Sequence, residues 1–390
     1  MSRSFWILIT LAFFSRLFLL FAVPLDHQPS AIPYFNDEAA HLNYVKYLAD
    51  HHDLPVQTTS VQVGAESNEY EYYQPPLYYS LMQPFYTNGR RLTPGFELYW
   101  VRFGSLILSL AGLTTLFLAV RRHFGQDAAS AVLLSGALAG IPLRFGSLVT
   151  NDSLLFCLAC LFFAAALHLA LSGFDRKLYW ASILLMTAGL WTKVSFIVLL
   201  PVFWGLLYYR KEAHRGYLMA ALILPFAGLT PWLLHNLNAY GSLLPLTVGF
   251  GHVEYISVGN IGRLGMSGVY FLRSFHFPYD LIWGGPVDLV VYPLLIVGSA
   301  ALSYTGCRAL HRLSRPVFWI AAGAIGLNGL AYLSVILRYY QSEARFFLPV
   351  FPFLLLLLVL GTQLVTRNRL HWTLALLGLW IALPWFAALV

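Results

Sequence analysis

Long apolar stretches alternate with short polar breaks along most of these 390 residues. About 20 consecutive apolar residues suffice to cross a hydrocarbon core about 30 Å thick. By apolar length and charged breaks, about eleven segments qualify: 5–23, 99–120, 127–143, 152–172, 178–191, 195–209, 216–236, 287–305, 317–337, 346–365 and 371–389. The fifth and sixth are short for a crossing and are expected to form a tight hairpin with Trp191, Thr192 and Lys193 at its tip. Two polar segments remain, 24–98 and 237–286, which are expected to cap one face. Within the first, Leu42, Val45, Leu48 and Ala49 recur at helical spacing and Pro55 follows. This predicts an amphipathic helix from Glu38 to Asp53 lying along the membrane. The Pro75-Pro76 pair reads as a turn that bars helix. The expected fold is an all-α polytopic membrane protein, residues 1–390 forming one membrane domain with no internal repeat.

Composition supports that class. The chain is 58% hydrophobic and only 11% charged, where soluble domains average about 45–50% apolar. The net charge of +7 does not point to nucleic acid. No basic run with interleaved aromatics, zinc-finger spacing or glycine-rich phosphate loop is present. With the N-terminus inside, short cytoplasmic connections hold 13 of the 24 Lys and Arg, among them Arg121, Arg122, Arg176, Lys177, Arg210, Arg215, Arg308, Arg367 and Arg369. That bias fixes the orientation, since short basic loops stay inside. Arg16 interrupts the first apolar stretch and no small-x-small cleavage site follows, so an uncleaved first helix is expected. The Cys157-x-x-Cys160 pair lies inside a predicted span and reads as two small buried side chains rather than a redox or metal motif.

The candidate chemistry sits in the outer segments and at span ends. Asp37 and Glu38 adjoin at the start of the predicted surface helix, where carboxylates are favoured by the helix dipole. They read either as capping residues or as a general base that takes a proton from an attacking hydroxyl. His41 shares their helical face and can hydrogen-bond a carboxylate, an acceptor or a metal. Tyr73 and Gln74, in a Tyr-rich run before Pro75-Pro76, offer either a sugar-binding groove or an interface anchor. Asp152 starts the fourth span, as a cap or as a second acidic group completing the site. Lys193, Arg144, Arg338 and Arg345 fall on the outer side, against the inside bias, where they suit a lipid phosphate or snorkel to ordinary headgroups. Arg16 is a functional candidate by its depth, or half of a structural ion pair. His276 and Asp280 belong to a loop that can line the acceptor side.

These residues carry a resemblance. Asn36-Asp37-Glu38 with His41, Tyr73-Gln-Pro-Pro-Leu-Tyr78 and Thr150-Asn-Asp152 stand in order along the chain. Gly189-Leu-Trp-Thr-Lys193, Pro231-Trp-Leu-Leu-His-Asn236 with Tyr240-Gly241, and Ala344-Arg345-Phe-Phe-Leu-Pro349 continue the series. Together the sequence resembles the polytopic glycosyltransferases of the GT-C superfamily. It is most similar to the group of dolichyl-phosphate-mannose protein mannosyltransferases and aminoarabinose transferases. The resemblance implies a GT-C-like core and a sugar moved from a polyprenyl-phosphate donor at the outer membrane face. It implies Asp37 as catalytic base, Glu38 as its partner or a metal contact, and Asp152 beside them. It gives Lys193 and Arg345 to the donor phosphate; by position and residue type, His41, Tyr73, Gln74 and Arg338 are further substrate-binding candidates. The residues name no certain cofactor and leave open whether a divalent cation is needed. The chain stops after the eleventh predicted span, without the large outer domain of longer members. A lipid-linked or cell-envelope glycan acceptor is therefore expected before a protein one. A bacterial cytoplasmic membrane suits the compact loops. A transporter or flippase of lipid-linked sugars is the rival reading. It predicts charges at mid-membrane and inverted repeats, whereas here the charges gather at the outer edge.

Overall fold

The computed structural model describes residues 2–23, 37–57, 71–210, 214–245, 265, 268, 271–272, 274–276, 286–337 and 343–387. Arg338, Asn36 and Asp280 lie outside the described residues. The described chain is helical, with no strand among the described residues. In order the helices are α1 (Arg3–Ala22), α2 (Glu38–His51), α3 (Leu77–Leu92), α4 (Glu97–Leu138), α5 (Gly140–Phe145) and α6 (Asp152–Ser172). Then come α7 (Arg176–Leu190), a 3-10 turn Val194–Val198, α8 (Leu199–Tyr209) and α9 (Arg215–Tyr240). After them follow α10 (Pro286–Leu313), α11 (Arg315–Ile336), a second 3-10 turn Ala344–Val350, α12 (Phe351–Val365) and α13 (Leu370–Ala387).

Among the described residues, 7 helices are long and apolar enough to cross a membrane. The 42-residue α4 counts once in that number, although it would measure about 63 Å if straight. It is not straight. Gly125 has φ 89 and ψ 173, a conformation that L side chains resist. A Cβ added at Gly136 would fall 2.7 Å from Leu113 Cδ2, where a continuous helix would separate the two by about 35 Å. The chain therefore doubles back at Gly125, between the two separate spans that hydropathy predicts. Val194–Tyr209 and Leu370–Leu383 are shorter apolar helices. The Pro75-Pro76 pair closes the 71–76 turn and stays outside the helix that starts at Leu77. Pro76 is the N-cap residue of α3, whose first turn needs no amide from it.

The core is helix on helix. α6 is its axis, with 78% of its apolar window buried, and the Ala344–Val365 segment follows at 72%. α6 packs on α4, and α10 packs on α12. The last pair meets backbone to backbone: a Cβ on Gly306 would collide with the Leu357 carbonyl, and one on Gly361 with the Leu302 carbonyl. Glycine contacts of this kind let membrane helices approach closely where apolar burial supplies no drive.

Two buried arginines tie these layers. Arg16, fully buried, donates to Ser109 Oγ at 2.9 Å and to the carbonyls of Ala137 at 2.8 Å, Pro142 at 3.1 Å, Ala12 at 3.2 Å and Gly136 at 3.3 Å. The backbone leaves helical geometry at Ala139 (ψ 140), which frees the Gly136 and Ala137 carbonyls from the helix. Arg16 is thus the clasp of the α4–α5 break, and no carboxylate pairs with it among the described residues. At the C-terminal end of α1, Arg102 donates to the Leu20 and Val23 carbonyls at 2.6 and 2.8 Å.

Candidate active site

One end of the bundle gathers the charged residues, each placed where a helix begins or breaks. Asp37 is the N-cap residue of α2, yet its side chain makes no capping hydrogen bond. Instead Arg345 Nη1 donates to its Oδ2 at 2.6 Å across 308 residues of sequence. Arg345 rides on the 3-10 turn before α12. Asp152 opens α6, fully buried, and receives Lys193 Nζ at 2.6 Å. Lys193 sits in extended backbone between α7 and its 3-10 continuation. Such interruptions let a charged group reach an end of the bundle without crossing an apolar face.

Glu38 and Asp37 part company. Glu38 lines the same small pocket as Asp37, His41, Arg144, Thr150 and Arg345. Both its oxygens are committed: Arg102 grips it through Nε at 2.8 Å and Nη2 at 2.6 Å, and the Val149 amide adds 2.7 Å. Both side chains of that pair are 0% exposed. Glu38 therefore pins the first turn of α2 to α4 and to the strand of chain before α6. The helix presents His41, Tyr44, Val45 and Leu48 inward, a face turned slightly from the Leu42–Val45–Leu48 stripe expected from spacing.

His41 is buried, with Nδ1 at 2.8 Å from the Tyr79 hydroxyl and Nε2 at 3.5 Å from Thr150 Oγ1. Burial lowers its imidazole to about 4, against the nearby Asp37 charge. Asp37 experiences the opposite balance. Burial works to raise its carboxyl, but Arg345 first, then His41 and Lys193, hold it below the ordinary value. Glu71 completes the cluster. Burial, then the Asp37 charge, pushes its carboxyl up to about 8. Its Oε2 has no hydrogen-bond partner among the described residues. Glu71 stands inside the Tyr-rich run, two residues from Tyr73, and a carboxylate amid those aromatics is the signal that singles it out.

Asp37, His41 and Glu71 each place one ligand atom within 4.8 Å of the others. Two carboxylates and an imidazole are a donor set for a divalent cation such as zinc. The orphaned Glu71 oxygen and the loosely held His41 Nε2 fit that use. Gln74 Oε1 accepts from Asn151 Nδ2 at 3.4 Å, while its own amide reaches the Tyr73 hydroxyl at 3.0 Å. Gln74 thus joins the 71–76 segment to the start of α6 beside Asp152. Arg144 lies 3.9 Å from Glu343 at the pocket edge. His276 is turned elsewhere, bonded to Ser299 Oγ at 3.2 Å beside an apolar cavity of about 280 Å³ walled by α10, α12 and α13.

The basic end is opposite. α6 runs from Asp152 to Ser172, and at its far end Arg210 donates to the Leu169 and Ala170 carbonyls, both at 2.8 Å. His168 and His123 rings meet there at 6.0 Å.

No family model matches the sequence, and no curated protein matches it. Solved structures do. ArnT from Cupriavidus metallidurans in the apo state superposes with a TM-score of 0.56 at 16% identity, over 92% of this chain and 59% of that one. ArnT from the same organism bound to undecaprenyl phosphate gives 0.58 at 15% identity, over 93% and 61%. The Archaeoglobus fulgidus oligosaccharyltransferase, in complex with Zn and sulfate, gives 0.53 at 11% identity, over 98% and 52%. The chain shares its fold with these solved structures. It spans between about half and three fifths of the length of these structural relatives.

Proposed function

We propose that the protein is a membrane glycosyltransferase that takes a sugar from a polyprenyl-phosphate donor, with Asp37 as general base. The observation that carries this reading is the Asp37–Arg345 contact at 2.6 Å. It unites the base with a cation suited to phosphate, beside a second cation, Lys193, held by Asp152 at 2.6 Å. The shared fold supports it, as does the lipid phosphate bound by the second ArnT structure.

In the reaction, an acceptor hydroxyl attacks the anomeric carbon from the face opposite the phosphate. The carbon–oxygen bond to phosphate breaks as the new glycosidic bond forms, inverting the centre. Asp37 takes the hydroxyl proton. A phosphate leaves as a stable anion, so no strong general acid is needed. Arg345 and Lys193 hold its charge, Arg by paired hydrogen bonds and Lys as a point charge. Asp37, held below the ordinary carboxylate range, is ionised at neutral pH and paired with Arg345. Glu38, spent on Arg102, positions Asp37 rather than reacting. Tyr73, Gln74 and His41 frame the acceptor side. Asp37, His41 and Glu71 would hold a divalent cation, which as a Lewis acid would steady charge on oxygen. The acceptor is a lipid-linked or cell-envelope glycan, and the site faces away from the cytoplasm by the basic bias of the opposite end.

Purified protein incubated with radiolabelled polyprenyl-phosphate sugars and a membrane extract should yield one labelled product. Asp37→Asn should lower turnover by at least about 100-fold while donor binding persists. Full activity in that variant rules out Asp37 as the base.

A further inference from the structure

Glu343 precedes the 3-10 turn that carries Arg345, in extended backbone. Its carboxylate lies between two guanidinium groups, 3.0 Å from Arg345 Nε and 3.9 Å from Arg144 Nη1. Both arginines line the Asp37 pocket. Both also hang over one ring: their guanidinium carbons stand 5.9 and 5.2 Å from the Phe145 centroid. The Glu343–Arg345 contact is close but badly aimed. Glu343 Oε2 and Arg345 Nε are buried, and neither makes a hydrogen bond among the described residues. The side chain of Glu343 retains 21% exposure, so it has a way out. Two guanidiniums around one oxyanion form a phosphate clamp. Here the oxyanion is the chain's own carboxylate, held by charge and not by directed bonds.

We propose that Glu343 is a placeholder for the substrate phosphate: its carboxylate occupies the ground between Arg144 and Arg345 until a lipid-linked phosphate displaces it. This rests on the reading that the donor is a lipid phosphate. The exchange also reaches the base. Arg345 holds Asp37 at 2.6 Å. A phosphate drawing that guanidinium toward itself loosens its grip on Asp37, so the base is released only when donor is present. Water meeting the site alone finds Asp37 neutralised. The order is donor first, acceptor second.

The test is direct binding of a short-chain polyprenyl phosphate lacking sugar, measured on the purified full chain in detergent, with inorganic phosphate as the headgroup arm. Glu343→Gln removes the competing charge and should bind the polyprenyl phosphate at least about fivefold tighter. Arg144→Gln should bind it more weakly. In steady-state assays Glu343→Gln should lower donor KM without a matching loss of kcat, which a merely structural role would not do. In the wild-type protein, saturating probe should change hydrogen exchange at the Ala344 amide, now bonded to Ser274 Oγ at 2.8 Å. That measurement decides the matter if the variant does not fold. Unchanged or weaker binding by Glu343→Gln, or unchanged exchange at Ala344 under saturating probe, overturns the placeholder and leaves the proposed function standing. Failure of both proteins to bind the probe overturns both.

Discussion

Replacing Arg102 with Met tests how the site is held. Arg102 and Glu38 are each 0% exposed and joined by two hydrogen bonds. Removing the guanidinium strands a carboxylate that water cannot reach, which costs about 3–5 kcal/mol. The carbonyls of Leu20 and Val23 lose their donors as well, at about 1–3 kcal/mol for each buried group left unpaired. The single variant should therefore lose at least about 4 kcal/mol, enough to unfold many domains. The double variant Arg102→Met with Glu38→Met replaces both charges by apolar groups of similar length and should recover much of that loss. Equilibrium unfolding in mixed SDS micelles, followed by circular dichroism, reads the cycle. A coupling energy of several kcal/mol is expected. Turnover in the double variant separates the roles of the two neighbours. If Glu38 only positions α2, activity returns with stability. A stable but inactive double variant, or a single Arg102→Met costing under about 1 kcal/mol, refutes the assignment of Glu38 to structure.

In chelated buffer, Glu71 and His41 should leave opposite marks on stability. Glu71 keeps its proton in the fold up to about 8, so its burial penalty is absent at acid pH and grows as pH rises from about 4.5 through 8. His41 stays neutral down to about 4, so its penalty grows as pH falls below about 6.5. Between those limits the slopes oppose; above about 6.5 only Glu71 acts, and Glu71→Gln should abolish the fall in Tm from there to pH 8. Zinc added to chelated wild type should raise Tm, and His41→Ala should remove the shift; an equal shift in the variant places the ion elsewhere. Gly361→Val should cost about 3 kcal/mol by forcing α12 off α10, seen as a lower unfolding midpoint; an unchanged midpoint removes the backbone contact from the fold's support.

Hydropathy located the helices well because bilayer length is a property of single segments. The span expected at 152–172 is α6 residue for residue. The same scale missed α3, since its face is mixed and two prolines precede it. It also separated the spans 99–120 and 127–143, and the turn between them falls at Gly125, although the positive φ there has no hydropathic signature. The site was half legible. Asp37, Asp152, Lys193 and Arg345 stood out as charges at apolar ends, and the fold gathers them. Asp37 and Glu38 could not be told apart, since their difference lies in Arg102, a residue 64 positions on that reads as an ordinary span flank. Glu343 is hidden for the same reason, its meaning set by Arg144 far along the chain, while Glu71 is marked only by the aromatics around it.

The Asp37–Arg345 bond spans 308 residues, and that distance has a temporal meaning. During synthesis Asp37 emerges before most of the helices, while its counter-charge arrives only after most of them have been threaded. Until then Asp37 has no Arg345 guanidinium beside it. On the proposed function, a half-made chain already lodged in the membrane would lack that part of the phosphate site, and turnover would begin as a late event of assembly.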